Sequence, residues 1–296
     1  MSVNLQKFIQ ANGLSMRSAA EAAGCDKSVI VKVCNQTYYE WQRKEAEIIA
    51  LLQEKGHTKM PSEQLAISTD VLVKTSNVDR FFQLADSLAD LDGSLTSSLG
   101  MVIGTAERGK TYAARHYASK NPNAVYIQFI EGSSRCQVLR SICYQLTGCR
   151  PYSFGACVSA LEEISRLGRR LVIVDEADKC PLSILEMLRG VNEVCHLPFL
   201  FVGEEALKGK MDAVPRLRSR VRNPIVVFDP LIISDVSVYW SMAAGLSLDQ
   251  AMLEKLFRRA RAGFRTLSND ALALVRIANA SGINTITPAM LDTLGA

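Results

Sequence analysis

Gly104, Gly109, Lys110 and Thr111, within the stretch Leu99 to Ala118, satisfy G-x-x-x-x-G-K-[ST], a spacing that suits phosphate chemistry. Glycine lets the backbone bend around a β-phosphate, and the loop turns its N–H groups inward. Lys110 brings a point charge to the β- and γ-phosphates, and Thr111 offers a hydroxyl to Mg²⁺ at the positive end of the helix that follows. The contacting residues are expected to be Gly104, Thr105, Ala106, Glu107, Arg108, Gly109, Lys110, Thr111 and Tyr112, with ATP and Mg²⁺ as cofactors. The plain alternative is a strand, a turn and a helix with a solvated lysine.

A second motif argues against that alternative. The run Arg169 to Lys179, RRLVIVDEADK, is apolar from Leu171 to Val174 and ends on two acids. An unbroken apolar run fits a strand buried on both faces, so Asp175 and Glu176 emerge at its carboxyl end, where open α/β sheets bind ligands. Asp175 is placed to hold Mg²⁺ through water, and Glu176 to orient and deprotonate an attacking water. The next apolar run, Pro198 to Val202, delivers Glu204 to the same edge, where it either faces the γ-phosphate or points away. Further on, PRLRSRVRN sets Arg216, Arg218, Arg220 and Arg222 at alternate positions, which cannot share one helix face. These arginines serve either a phosphate across a subunit boundary or a solvated, DNA-facing edge. Arg265 opens a later helix, from which it either reaches back to the nucleotide or stays at the surface.

The elements that must position these residues follow from periodicity. Strand-like runs at Leu99, Ala124 to Ile130, Leu171 and Pro198 alternate with helical patterns at Cys136 to Gly148, Tyr152 to Arg166 and Pro181 to Cys195. That alternation predicts an α/β fold with a parallel sheet covered on both faces. A short strand is expected at Ile225 to Phe228. Thr69 to Leu91 reads as one helix leading into the first strand, and Ser234 to Ala296 is helical throughout. Residues 56–68 lose periodicity and gather Gly, Pro, Ser and Thr, the mark of a linker. The expected division is a helical unit at 1–60, a linker at 61–68, a nucleotide-binding core at 69–232 and a helical lid at 233–296.

Within the first sixty residues, Ser15 to Tyr38 reads as a helix, a tight turn at Gly24 and a second helix whose inward stripe is Val29, Ile30 and Val33. This helix-turn-helix layout would place Lys27, Ser28 and Lys32, with Asn35 or Gln36, against the major groove of double-stranded DNA. A helical hairpin packed on protein is the other reading. The chain has 296 residues, 48% of them hydrophobic, and a net charge of +4 that permits nucleic-acid binding without demanding it. With mean hydropathy near zero, no apolar run long enough to cross a bilayer and no charged-then-apolar leader, a cytoplasmic location without membrane contact is expected. The eight cysteines form no CxxC pair and show no zinc-type spacing with His57, His116 or His196, so reduced thiols are expected.

With these residues laid out, the chain resembles the AAA+ class of P-loop ATPases, and more narrowly the ATP-dependent DNA transposition protein B family of Mu-like transposing phages. The likeness rests on the leading helix-turn-helix, GTAERGKT, LVIVDEAD followed by ILEMLR, RLRSR, and GFRTLSNDALALVRIA. It implies that Lys110 and Thr111 bind phosphate and Mg²⁺, that Asp175 coordinates Mg²⁺ and that Glu176 is the catalytic base. Arg220, with Arg216 as second choice, falls at the arginine-finger position, and Arg265 at the second sensor. Glu204 departs from the polar amide expected at the first sensor. The family implies an ATP-driven oligomer or helical filament on DNA, bound with little sequence preference, that captures target DNA and activates a transposase. A replicative helicase loader and an ATP-switched transcription regulator are the rival readings. An RNA helicase, which the DEAD run at Asp175 to Asp178 invites, would need a second RecA-like domain for which the chain has no room.

Overall fold

A computed structural model describes residues 4–57, 65–68, 71–90, 99–168 and 170–294. Of the expected linker, residues 58–64 lie outside the described residues, as do Thr69, Leu91 and Arg169. The chain divides into two compact units, Met1–Ala66 with Leu274–Met290, and Ile67–Ala273 with Leu291–Ala296.

The first unit contains α1 (Leu5–Ala11), α2 (Met16–Ala22), α3 (Lys27–Cys34) and α4 (Trp41–Glu54). The first three begin on Asn4, Ser15 and Asp26, whose side chains accept hydrogen bonds from N–H groups of the first turn and so satisfy donors that the helix leaves open. Gly24, at φ +63°, makes the left-handed turn between α2 and α3. Phe8, Ala19, Ala20, Ile30, Val33, Ile48 and Leu52 close the core. Val29 is only partly buried against it. Glu45 is buried as well, because its Oε1 accepts from the Leu5 N–H at 2.8 Å and caps α1. In the later segment of this unit, the Asn279 amide exchanges two hydrogen bonds with the backbone of Leu65, both 2.8 Å.

In the second unit, α5 (Ser76–Ala89) precedes β1 (Leu99–Ile103), α6 (Lys110–Lys120), β2 (Ala124–Gln128), α7 (Arg135–Thr147), α8 (Phe154–Leu167) and β3 (Leu171–Asp175). Then come α9 (Leu182–Cys195), β4 (Phe199–Gly203), α10 (Ala206–Asp212), α11 (Pro215–Arg218) and β5 (Val226–Val227). The strands form one parallel sheet in the order β2-β3-β4-β1-β5. Alternate residues of each central strand enter opposite cores. Met101, Val174 and Phe201 pack with Leu139, Leu161 and Leu188 on one face, while Val102, Ile173 and Leu200 pack with Phe81, Leu88 and Ala114 on the other. Both faces are covered, which is why the strands read as unbroken apolar runs. Cys143, Cys157, Cys180 and Cys195 are buried as small apolar residues, and burial pushes the Cys143 and Cys180 thiols up to about 12.

The helix expected from Thr69 begins later, at Ser76. Thr75 is its N-cap and accepts from the Val78 N–H, while β-branched Val71 and Val73 stay in irregular chain before it. The shorter helix frees Val71, Leu72 and Val73 for another task. The remaining helices are α12 (Ile233–Ala244), α13 (Gln250–Arg259), α14 (Phe264–Ala280) and α15 (Pro288–Asp292). Within the segment expected to be helical throughout, α13 gives way to a single 3-10 turn, Ala260–Ala262, before α14 begins.

Candidate nucleotide-binding site

The loop Gly104 to Gly109 leaves the carboxyl end of β1, with β4 on one side and β5 on the other. Arg108 ties it down, its Nη1 donating to the Phe228 carbonyl at 2.8 Å. Lys110, only 8% exposed, donates from Nζ to the carbonyls of Gly104 at 2.6 Å and Thr105 at 2.8 Å, so its ammonium lies inside the loop. Burial pushes the Lys110 pKa below the usual lysine value, and the carboxylates of Glu204, Asp175, Asp178 and Glu176 pull it back up.

Asp175 ends β3 and is 2% exposed. Its Oδ1 accepts from the Glu176 N–H at 2.9 Å and its Oδ2 from the Tyr126 hydroxyl at 2.8 Å, which leaves each oxygen a lone pair for a metal-bound water. Tyr126, whose pKa is pushed up to about 12 chiefly by burial, is a donor throughout the physiological range. Arg115 lies over its ring at 5.2 Å and donates to Gln128 at 3.2 Å. Glu176 takes the left-handed conformation at φ +57°, a strained position for a residue with a side chain. Its Oε2 pairs with Lys179 Nζ at 2.7 Å across the single 3-10 turn Ala177–Lys179, and that hydrogen bond raises the lysine pKa.

The strand ends β3 and β4 are bracketed together. Asp178 Oδ1 accepts from the Glu204 N–H at 3.0 Å, and Lys210 of α10 donates to the carbonyls of Asp178 and Cys180. Gly203 permits this approach, since a Cβ there would lie 2.6 Å from Asp178 Oδ1 and 2.9 Å from its backbone nitrogen. Gly203→Ala is therefore expected to cost about 1–3 kcal/mol and to lower the melting temperature by roughly 3–10 °C, measured by circular dichroism.

These groups surround one pocket of about 420 Å³, lined by residues 106–112 of the loop and its helix, by Asp175, Glu176, Asp178 and Glu204, and by Phe264 and Arg265. Its apolar wall comes from Val71, Leu72, Val73 and Val78. Lys110 and the loop at one end and an apolar wall at the other suit a ligand with a polyanionic end and an apolar face, as a nucleoside triphosphate has. Arg265 Nη1 lies 3.3 Å from Glu107 Oε1. Arg216, Arg218 and Arg220 lie away from this pocket, exposed at the surface. Arg220 pairs with Glu193 at 2.8 Å, and Arg222 reaches the Ser87 carbonyl at 3.4 Å. Lys27, Ser28 and Lys32 on α3, and Asn35 and Gln36 just after it, are all exposed.

Residues 94–211 match the family model described as the AAA domain. That stretch is similar to AAA domains, and it runs along the parallel sheet from before β1 into α10. The fold of the chain is similar to the Thermotoga maritima RuvB Holliday junction branch migration motor, with 18% identity, a TM-score of 0.52 and coverage of 76% of this chain and 70% of that one. It is also similar to the Aeropyrum pernix ORC1 protein in complex with DNA, with 18% identity, a TM-score of 0.56 and coverage of 76% and 65%. Over 211 residues the chain is 24% identical to the ATP-dependent target DNA activator B of Escherichia phage Mu, and equally to that of Escherichia phage D108. The match takes in 70% of this chain and spans 64% of the length of those relatives.

Several residues of this pocket escape a reading of the sequence. Arg115 lies one helical turn beyond Thr111, so the helix face held a signal. Tyr126 did not, because strand pairing alone brings it beside Asp175. Val71 and Val73 were visible as apolar residues, but the cap at Thr75 moves them from a helix core to the pocket wall. Among the described residues no helix is long and apolar enough to cross a membrane.

Proposed function

We propose that the chain is an ATPase of DNA transposition that assembles on DNA with little sequence preference, captures target DNA and activates a transposase. The convergence of Lys110, Asp175, Glu176 and Arg265 on one pocket carries the ATPase part. Its likeness to the target DNA activator B of phages Mu and D108 supports the transposition part. In this reading residues 1–60 are a helix-turn-helix unit, 61–68 a linker, 69–232 the core and 233–296 a lid.

Bound ATP with Mg²⁺ supplies the phosphoryl group and neutralises charge on it. Lys110 and the backbone of residues 104–112 hold the phosphates, Thr111 and Asp175 hold the metal, and Glu176 takes the proton of the attacking water. Glu204, at the first-sensor position, adds a carboxylate beside that water. Arg220, or Arg216, completes the site of a neighbouring subunit, a role supported by its exposure away from its own pocket. Its pair with Glu193 is partly exposed, so it yields readily to a phosphate. Lys27, Ser28 and Lys32 on the outer face of α3 contact the DNA backbone and groove.

Light scattering and electron microscopy with non-specific duplex DNA test this reading. Long assemblies are expected with ATP and not with ADP. With two phosphate contacts per subunit, from Lys27 and Lys32, affinity should fall at least about tenfold when salt rises fourfold. A small closed ring would favour a helicase loader, and a dimer on one defined operator a transcription regulator; either overturns the proposal.

A further inference from the structure

Glu107 is an unusual residue for a phosphate loop, since it places a carboxylate among the N–H groups that receive a polyanion. Its backbone is held at φ +66°, a conformation that a side chain disfavours and that persists only where the surroundings impose it. Residues 263–265, at the start of α14, pack against it. Gly263 packs so closely on Glu107 that a Cβ there would lie 2.7 Å from the Glu107 Cβ, and would meet its carbonyl oxygen more closely still. The Phe264 N–H donates to the Glu107 carbonyl at 2.9 Å. Arg265 Nη1 then pairs with Glu107 Oε1 at 3.3 Å. The other oxygen, Oε2, is buried without a hydrogen-bond partner among the described residues. One loop residue therefore holds the start of α14 by its backbone and the arginine of that helix by its side chain.

The two partners differ in freedom. The Arg265 side chain is 74% exposed and lines the pocket, whereas the Glu107 side chain is 22% exposed. The guanidinium is free to turn to a second anion in the same pocket, and the carboxylate stays. We propose that Glu107 is an internal competitor of the nucleotide: its carboxylate and the terminal phosphate of a bound triphosphate exchange Arg265, so that the contact between loop and α14 distinguishes triphosphate from diphosphate. This inference rests on the reading of the pocket as an ATP site with Arg265 at the γ-phosphate. A diphosphate lacks the group that draws the arginine away, and only a ligand with unequal affinity for two arrangements shifts their populations.

Calorimetric titration of the full chain with ADP and with a non-hydrolysable ATP analogue, on the parent and on Glu107→Gln, Glu107→Asp, Arg265→Ala and the Glu107→Gln/Arg265→Ala double variant, tests this. Glu107→Gln is expected to raise the preference for triphosphate over diphosphate by about fivefold to tenfold, a normal size for coupling between two groups. Glu107→Asp, which keeps the charge on a side chain one methylene shorter, should shift the preference the same way. In the Arg265→Ala background, Glu107→Gln should leave the preference where Arg265→Ala alone puts it. Equal tightening of both nucleotides by Glu107→Gln would reduce Glu107 to a local charge and overturn the proposal, as would the same preference shift with Arg265 removed. If Arg265→Ala itself leaves the parent preference intact while nucleotide still binds, Arg265 does not reach the γ-phosphate, and that assignment fails together with this one. Circular-dichroism melting of each variant separates these outcomes from misfolding.

Discussion

Lys110→Ala is expected to weaken ATP binding by at least about 100-fold and to abolish nucleotide-dependent assembly, as read by titration of a fluorescent ATP analogue and by light scattering. Each hydrogen bond from a charged donor is worth about 1.5–3 kcal/mol, and a lysine bridging two phosphates makes two of them; at 1.4 kcal/mol per decade the loss is about two to four orders of magnitude. The structure explains why no neighbour replaces it. Lys110 is the ammonium inside the loop, bound to the Gly104 and Thr105 carbonyls, and the carboxylates of Glu204, Asp175, Asp178 and Glu176 act on it electrostatically. Without Lys110 the loop loses the ammonium that faces those four acids. The fold itself should survive, because the two carbonyls it serves can turn to water. A melting temperature close to that of the parent with ATP affinity unchanged would remove Lys110 from the site.

Glu176→Gln is expected to behave differently, lowering kcat by about 10² to 10⁴ while ATP remains bound and assemblies persist. The amide has the size of the carboxylate and cannot accept the proton of the attacking water. Its neighbours place it for that task. The Glu176 N–H is anchored on Asp175 Oδ1, and the backbone turns at φ +57°, which swings the side chain out of the strand direction at the sheet edge. The Lys179 ammonium holds the carboxylate at 2.7 Å, but this pair is exposed to water and short in sequence, so it gives way to a better-placed partner. Steady-state hydrolysis alongside equilibrium ATP binding separates the two effects. An unchanged kcat would assign the proton to another group, with Glu204, on the same edge of the pocket, the next to examine.

The amino-acid sequence by itself determined the parallel α/β core and the order of its strands along the chain. Strands buried on both faces must be apolar along their length, so the polar groups Lys110, Asp175, Glu176 and Glu204 gather at and just beyond their carboxyl ends. The helix starts at Ser15, Asp26 and Ser153 are set locally, each by a side chain that accepts from an N–H of the first turn. What only the tertiary structure decided is which distant residues meet. The sheet order β2-β3-β4-β1-β5 brings Tyr126 to Asp175 through strand register, and the bracket Lys210–Asp178–Glu204 joins the chain on either side of α9 and β4. The pairing of Arg265 with Glu107 spans more than 150 positions of sequence. No local period encodes such encounters: they follow from how whole elements stack, and that is where the charge balance of the pocket is set.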